Sequence, residues 1–146
     1  MTSVNALRSR RDRVRHAVLF EILALLLVAP LGGLVFGIEA GHFGVVAVVS
    51  TLLAMSWNYV YNLGFDHALL AMGKPLHKTM VARLVHALLF EAGLLLFLVP
   101  FIAWYLAVPL WEALVMDLAL AGFYLCYALV FNWGYDRIFP LPAQVG

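Results

Sequence analysis

The sequence predicts an all-α membrane protein with four transmembrane helices, arranged as two tandem parallel-repeat helical hairpins. Composition, four long apolar stretches and an internal repeat predict it. Of the 146 residues, 65% are hydrophobic and only 12% are charged, which is about half the charged share of an ordinary soluble domain. A membrane span needs about 20 predominantly apolar residues. The chain therefore has room for four spans and little else.

The four apolar stretches place the spans near residues 16–38, 43–66, 84–107 and 112–136. The first span follows a basic segment, as the apolar core of a signal peptide does. Its apolar run is longer than the 7–15 residues typical of such a core, and the same segment recurs later in the chain. We therefore interpret it as a retained first helix.

The positions of Lys and Arg predict the orientation in the membrane. Five arginines precede the first span, three basic residues lie between the second and third spans, and Arg137 follows the fourth. The connections around Glu39 and Glu112 contain neither Lys nor Arg. Because basic loops stay in the cytoplasm, we expect both termini and the middle loop there. Trp104 and Trp111 flank the second outer turn, where interfacial aromatic residues are common.

An offset of 70 residues aligns the chain with itself without a gap and gives 14 identities over residues 11–66. Each repeat contains two spans, so both repeats enter the membrane from the same side and are parallel. The predicted domains are two hairpins, residues 1–72 and 73–146, joined by a loop from His67 to Arg83. The identical positions of the first repeat are Arg13, His16, Ala17, Leu19, Phe20, Glu21, Leu25, Leu26, Pro30, Val45, Val60, Asn62, Gly64 and Asp66.

Polar residues recur near the predicted cytoplasmic ends of the spans. A His-x3-Phe-Glu pattern opens the first span of each repeat, and an Asn-x3-Asp pattern closes the second. We expect the two patterns of one repeat to meet when its hairpin closes.

In the second span, Asn58, Asn62 and Asp66 are spaced to form one polar stripe of a helix, beside the aromatic side chains of Trp57 and Tyr61. These residues are candidates for a substrate pocket. The second repeat keeps Asn132 and Asp136 as further candidates, but Ala128 replaces Asn58. The two halves are therefore not equivalent sites.

Glu21 and Glu91 are the strongest candidates for function. An ionised carboxylate well inside a bilayer costs a few kcal/mol, so the neutral form is favoured there. Such a group can alternate between protonated and ionised forms, and its ionised form attracts a cation, which is the chemistry that proton-for-cation exchange requires. The alternative is structural, with each carboxyl neutral or paired to Arg13, Arg83 or an asparagine.

Three other groups have two interpretations each. His16 and His86 could ligate a haem between helices, although a histidine near the interface more often bonds a backbone group or a carboxylate, and His16 is also a pocket candidate. Asp66 and Asp136 end their spans, where pairing with Arg or Lys is expected. Asp117 has no polar counterpart in the other repeat and is a candidate proton relay or a structural residue.

Other kinds of chemistry lack a sequence signal. The chain has no glycine-rich phosphate loop, no HExxH motif and no nucleophile elbow, so we expect neither an enzyme nor a metal or other cofactor. A single cysteine, Cys126, allows no intrachain disulfide. Topology and attraction to anionic lipid explain the basic N-terminal segment, so we expect no nucleic acid as a partner.

Four segments resemble the signature motifs of the proteobacterial antimicrobial compound efflux (PACE) family, whose members carry two bacterial transmembrane pair domains. The resemblance covers essentially the whole chain in order. One departure is Phe131, where the family often has a tyrosine. The segments are Arg13-x2-His16-Ala17-x2-Phe20-Glu21, Trp57-Asn58-x3-Asn62-x2-Phe65-Asp66, Arg83-x2-His86-Ala87-x2-Phe90-Glu91 and Phe131-Asn132-Trp133-Gly134-Tyr135-Asp136-x2-Phe139-Pro140.

The resemblance implies a bacterial inner-membrane exporter that is driven by protons and removes cationic biocides such as chlorhexidine, with short diamines or polyamines as native substrates. The family's essential glutamate of the first helix corresponds to Glu21. A non-transporting assembly or sensor subunit is the alternative function, and a small multidrug resistance transporter is a third. Four helices make a thin wall for a transport cavity, which favours a homodimer.

Overall fold

Four long helices make up the chain in the computed structural model, which describes residues 8–75 and 79–140, and no strand occurs among those residues. Each helix is long and apolar enough to cross a membrane, as the sequence predicts. The first and third are each about 40 Å long at 1.5 Å per residue, which exceeds the ~30 Å of bilayer hydrocarbon. The helices are α1 (Arg10–Phe36), α2 (Ala40–Ala71), α3 (Met80–Leu106) and α4 (Leu110–Ile138).

The helices extend beyond the predicted spans at the ends predicted to be cytoplasmic. α2 continues to Ala71 and α3 begins at Met80, so the expected loop from His67 to Arg83 is wrong in its extent. Hydropathy marks only the part of a helix that lies in hydrocarbon, whereas the backbone remains helical where its polar side chains reach water. Lys78, one of the basic residues of this connection, lies outside the described residues.

The helix ends reproduce the 70-residue repeat. α1 and α3 have 27 residues each, and the hydroxyls of Ser9 and Thr79 cap their N-termini by accepting a backbone N–H. Both helices end on a left-handed residue, Gly37 with φ 68° and Ala107 with φ 54°. This backbone conformation favours glycine. Ala107 adopts it as well, so the two repeats share the geometry of this turn although the residue differs.

The helices form two compact units that do not coincide with the sequence repeats. Among the described residues, one unit contains residues 8–44 and 119–140, and the other contains residues 45–75 and 79–118. In the first unit, α1 packs against the C-terminal part of α4 and the start of α2. In the second, α2 packs against α3 and the start of α4.

Each signature histidine is bonded to an asparagine of the other repeat. His16 Nε2 lies 2.7 Å from Asn132 Oδ1 on α4, and His86 Nε2 lies 2.9 Å from Asn62 Oδ1 on α2. The predicted meeting of these groups within one hairpin is therefore wrong.

An aromatic ring accompanies each of these histidine–asparagine contacts. The His16 ring packs edge-on against Tyr135 at 4.6 Å between centroids, and the His86 ring packs edge-on against Phe65 at 4.7 Å. Tyr135 and Phe65 occupy equivalent positions of the two repeats. Each histidine is therefore enclosed by the same helix that supplies its asparagine.

A second pair of equivalent contacts joins the same helices deeper along their length. Tyr127 Oη donates to the Phe20 carbonyl at 2.8 Å, and Trp57 Nε1 donates to the Phe90 carbonyl at 3.0 Å. Interhelical hydrogen bonds of this kind contribute roughly 0.6–2 kcal/mol in a membrane. Both accepting carbonyls belong to the residue immediately before a signature glutamate.

Small residues admit the large side chains at these interfaces. A Cβ on Gly93 would overlap the Trp57 indole, and a Cβ on Gly32 would overlap the Phe43 ring. Close approach of helices over small residues is the usual mode of packing in membranes. Glycine is therefore required where an aromatic ring crosses the neighbouring helix.

We expect Gly93→Leu to lower the stability of the protein, because the added side chain displaces the Trp57 indole. Overpacking of this kind costs roughly 1–3 kcal/mol, which is measured as a lower midpoint of thermal unfolding in detergent. Gly122→Leu is the matched control, since Gly122 has no atom near its missing Cβ. Equal effects of the two substitutions would contradict the packing described here.

We expect the alanine substitutions of His16 and Asn132 to be energetically coupled by about 1 kcal/mol, the usual net contribution of one hydrogen bond. A double-mutant cycle on unfolding in detergent measures this coupling. The control cycle combines His16→Ala with Asn62→Ala, the pair that a closed hairpin would bring together. Coupling in the control cycle alone would refute the pairing of α1 with α4.

Candidate functional site

Glu21 lies well inside α1, and its carboxylate has no bonding partner in the part of the chain that the structure describes. It is the twelfth residue of the helix, about 16 Å along the axis from Arg10, and it precedes the buried stripe of Ala24 and Val28. Among the described residues, the structure gives Glu21 neither a hydrogen bond nor an ion pair. The pairing with Arg13 or an asparagine, which is one form of the structural interpretation, is therefore not formed among them.

The phenol of Tyr127 is the polar group placed beside Glu21. It interacts electrostatically with the carboxyl, and its hydrogen bond to the Phe20 carbonyl fixes it to the peptide group that precedes Glu21. The Phe20 and Tyr127 rings lie 4.9 Å apart. α4 therefore positions an aromatic hydroxyl next to the glutamate of α1.

Two further aromatic residues of α4 extend this surface. Phe123 stacks on Tyr127 with centroids 5.7 Å apart and ring planes within 7°, and Tyr124 lies 6.3 Å from Phe20. We call Phe123, Tyr124 and Tyr127 the α4 aromatic wall. The wall could not be recognised from positions that are identical in the two repeats, because these three positions differ between them.

An apolar cavity adjoins the wall on the side away from the N-terminus of α1. Its volume is about 250 Å³, and Phe123 belongs both to the cavity and to the wall. Its other lining residues come from α1 and from the adjacent parts of α2 and α4. They are Val28, Leu31, Gly32, Val35, Phe36, Phe43, Ala119 and Leu120.

Glu91 and Asp117 form a second group of carboxyls, in the unit built around α3. Glu91 is half-buried, Asp117 is only 5% exposed, and the two interact electrostatically. The position equivalent to Asp117 is Ala47, which is also buried. Burial of a carboxyl without a hydrogen-bond partner is costly, and the described residues provide Asp117 with none. Its role as a proton relay stays a prediction.

The other pocket candidates of the first repeat are directed toward α3. Trp57 donates to the Phe90 carbonyl, and Tyr61 donates to the His86 carbonyl at 2.8 Å. Asn62 bonds both Asn58 and His86. Asp66 is half-buried near the end of the same helix. Trp57, Tyr61 and Asn62 therefore contact the helix of Glu91, whereas the contacts of Glu21 are with α4.

A cluster of ion pairs joins the first turns of α1 to the end of α4. Asp12 bonds Arg8 at 2.6 Å, Arg15 at 2.5 Å and the Tyr135 hydroxyl at 2.6 Å, and Arg8 also pairs with Asp136. The expected pairing of Asp136 with a basic residue is therefore present. The other contacts of the cluster were not predicted. The sequence signal for them was the spacing of Arg8 and Asp12, which are one helical turn apart.

The second unit lacks the equivalents of three members of this cluster. Ala82, Val85 and Phe65 stand where Asp12, Arg15 and Tyr135 stand in the cluster. The first unit alone therefore has this set of contacts.

The described residues contain no group of three or more His, Cys, Asp or Glu side chains that could hold a metal ion. Nε2 of both His16 and His86 is engaged by an asparagine. The polar groups of the site are instead a carboxyl, a phenol and amides, which suit an organic cation and protons.

Comparisons with known proteins identify the family. The model of a family described as "BTP: Chlorhexidine efflux transporter" matches residues 8–71 and again residues 78–141. No solved structure matches the chain significantly.

Three relatives bear the name short-chain diamines transporter. The protein from Vibrio parahaemolyticus is 36% identical over 132 residues, which cover 90% of this chain and 93% of the relative. The protein from Acinetobacter baylyi is 30% identical over 128 residues, covering 88% and 89%. The protein from Acinetobacter baumannii is 30% identical over 133 residues, covering 88% of each.

The family and these relatives are named as transporters, not as enzymes. This finding favours transport over the non-transporting alternative. The match over both repeats also favours this family over the small multidrug resistance transporters. With its two matched repeats and four apolar helices, the chain belongs to the chlorhexidine efflux transporter family, the PACE family, and is a multi-pass membrane transporter.

Proposed function

We propose that this transporter exchanges protons for organic cations across the bacterial inner membrane, and that Glu21 is the residue where the two compete. The observation that carries the proposal is the carboxyl of Glu21, which lies within a membrane-spanning helix without a counter-charge among the described residues. The proposed substrates are cationic biocides such as chlorhexidine and short-chain diamines or polyamines. The names of the family and of the three relatives support them.

Competition at one carboxyl is sufficient for coupled exchange. Ionised Glu21 binds the cation, since hydrocarbon disfavours an uncompensated charge. Protonation neutralises the carboxyl and removes this attraction, so the cation leaves. A site that is occupied either by a proton or by a cation exchanges one for the other, provided that it opens to each side in turn.

Glu91 and Asp117 support the same cycle from the second unit. The two carboxyls interact electrostatically within this unit, and Asp117 is only 5% exposed. Two neighbouring carboxyls form a suitable intermediate site for protons on the route through the membrane. We assign this relay a supporting role, because Glu91 lacks the aromatic wall that adjoins Glu21.

The orientation of the protein follows from its basic segments. Both termini and the connection between α2 and α3 lie in the cytoplasm, and the turns after α1 and α3 face the periplasm. Most large apolar side chains are exposed on the chain itself, among them Leu34 and Leu96. Lipid or a second copy of the chain covers such surfaces, and we propose a homodimer as the transport unit.

We expect Glu21→Gln to abolish proton flux driven by an outward diamine gradient in proteoliposomes. In the wild type, protons enter as the diamine leaves, so a pH dye trapped in the lumen reports acidification. The amide cannot titrate and therefore cannot couple the two fluxes. Glu39→Gln is the control, because the Glu39 carboxyl is 76% exposed in the turn after α1. Proton flux that persists at the wild-type rate in Glu21→Gln would exclude this mechanism.

We expect single cysteines at Glu39 and Glu112 to react with an impermeant maleimide added to intact spheroplasts, in a Cys126→Ala background. A cysteine at Lys74, in the loop with basic residues, should react only after lysis. The pattern of labelling is read by gel shift. The reverse pattern would mean that the positive-inside rule misassigns this protein.

A further inference from the structure

The surroundings of the two signature glutamates differ in aromatic content. Phe123 and Tyr124 of the α4 aromatic wall are replaced at the equivalent positions of α2 by Leu53 and Ala54. Tyr127 has an aromatic equivalent in Trp57, so this position is aromatic in both repeats. Two aromatic faces are thus added beside the carboxyl of Glu21 and not at the equivalent positions of α2.

The added aromatic residues are stacked with the groups that surround Glu21. Phe123 lies parallel to Tyr127 and edge-on to Tyr124, whose centroid is 5.5 Å away. Tyr127 in turn interacts electrostatically with Glu21. A cation held by this carboxylate therefore has aromatic faces within reach, and cation–π attraction is strongest where water is excluded.

The cavity continues from the same surface. It has a volume of about 250 Å³, and Phe123 lines it together with Val28 and Gly32 of α1. Along α1, these two residues lie about 10 and 16 Å from Glu21 at 1.5 Å per residue. An apolar group attached to a cation at Glu21 can reach the cavity over this distance.

We propose that Phe123 and Tyr124 form, with the adjoining cavity, a specificity subsite for amphiphilic organic cations. The cationic group lies between the Glu21 carboxylate and the aromatic faces, and the apolar body of the same ligand occupies the cavity. A short diamine has no apolar body and uses Glu21 without the cavity. The inference rests on the proposed function, because it assigns a substrate class to the site of Glu21.

The test replaces the two aromatic residues by those of the other repeat, as Phe123→Leu/Tyr124→Ala. The probes are tetraphenylphosphonium and 1,4-diaminobutane, and the readout is equilibrium binding to the purified protein in detergent. Loss of cation–π contacts worth roughly 1–1.5 kcal/mol corresponds to about a tenfold weaker affinity for tetraphenylphosphonium. The affinity for 1,4-diaminobutane falls less, so the ratio of the two affinities shifts toward the diamine, by about tenfold where the diamine affinity is unchanged.

A control and a second variant define the outcomes. Leu125→Ala/Leu129→Ala changes two exposed side chains of α4 and leaves the ratio at its wild-type value. Ala119→Phe fills the cavity without altering the wall and also weakens tetraphenylphosphonium binding. An equal loss for both probes in the wall variant would mean that the wall only supports Glu21, and would overturn the proposal. An unchanged affinity in both variants would do so as well, and would leave a lipid acyl chain as the occupant of the cavity.

The test of the subsite and the test of proton exchange can fail independently of each other. If wild-type proteoliposomes show no proton flux with either probe, exchange at Glu21 is refuted, whereas the ratio of affinities still measures the subsite. If proton flux is present and the ratio is unchanged in both variants, the subsite alone is refuted.

Discussion

Hydrocarbon provides no water to hydrogen-bond a polar side chain, and the arrangement of the helices follows from that constraint. Each first helix of a repeat meets the second helix of the other repeat through a histidine–asparagine bond, as between His16 and Asn132. Deeper along the helices, an aromatic donor bonds a backbone carbonyl, as Tyr127 does with Phe20. These polar groups are satisfied between helices, as hydrocarbon requires.

Glu21 is an exception to this rule, as the buried Asp117 is, because the described residues give neither carboxyl a hydrogen bond. The groups around Glu21 are fully engaged, yet its own carboxylate has no partner among the described residues. Structural polar residues in membranes are usually paired. The exchange proposed for Glu21 requires the opposite, since a permanent partner would compete with both the proton and the cation. The surrounding hydrogen bonds hold the glutamate in place without occupying it.

The two repeats have diverged within one set of contacts. Trp57 crosses Gly93 in one unit, whereas the equivalent positions of the other unit are Tyr127 and Leu23. The larger indole of Trp57 fits only because Gly93 has no Cβ, whereas the smaller phenol of Tyr127 is compatible with a leucine at the equivalent position. Divergence at such pairs changes the chemistry beside each glutamate while the helix ends and caps remain equivalent. One duplicated framework therefore holds two different carboxyl sites.

Several features of the fold and of the site could be predicted from the sequence, because each depends on local composition or on a fixed spacing. Four helices follow from apolar runs of sufficient length, the two repeats follow from identities at one offset, and Glu21 stands out through the cost of a charge in hydrocarbon. The extent of α2 could not be predicted to its end at Ala71, since hydropathy does not report on a helix that continues into water.

What the sequence by itself determined was the number of spans, their duplication and the identity of the titratable residues. Only the tertiary structure decided that α4 rather than α2 accompanies Glu21 within one compact unit, and that Phe123 joins its site to an apolar cavity. The physical reason is that equivalent helices of a repeat carry the same polar groups. Asn62 and Asn132 are equally suitable partners for His16 by chemistry, and the fit of ring against helix, visible only in three dimensions, distinguishes them.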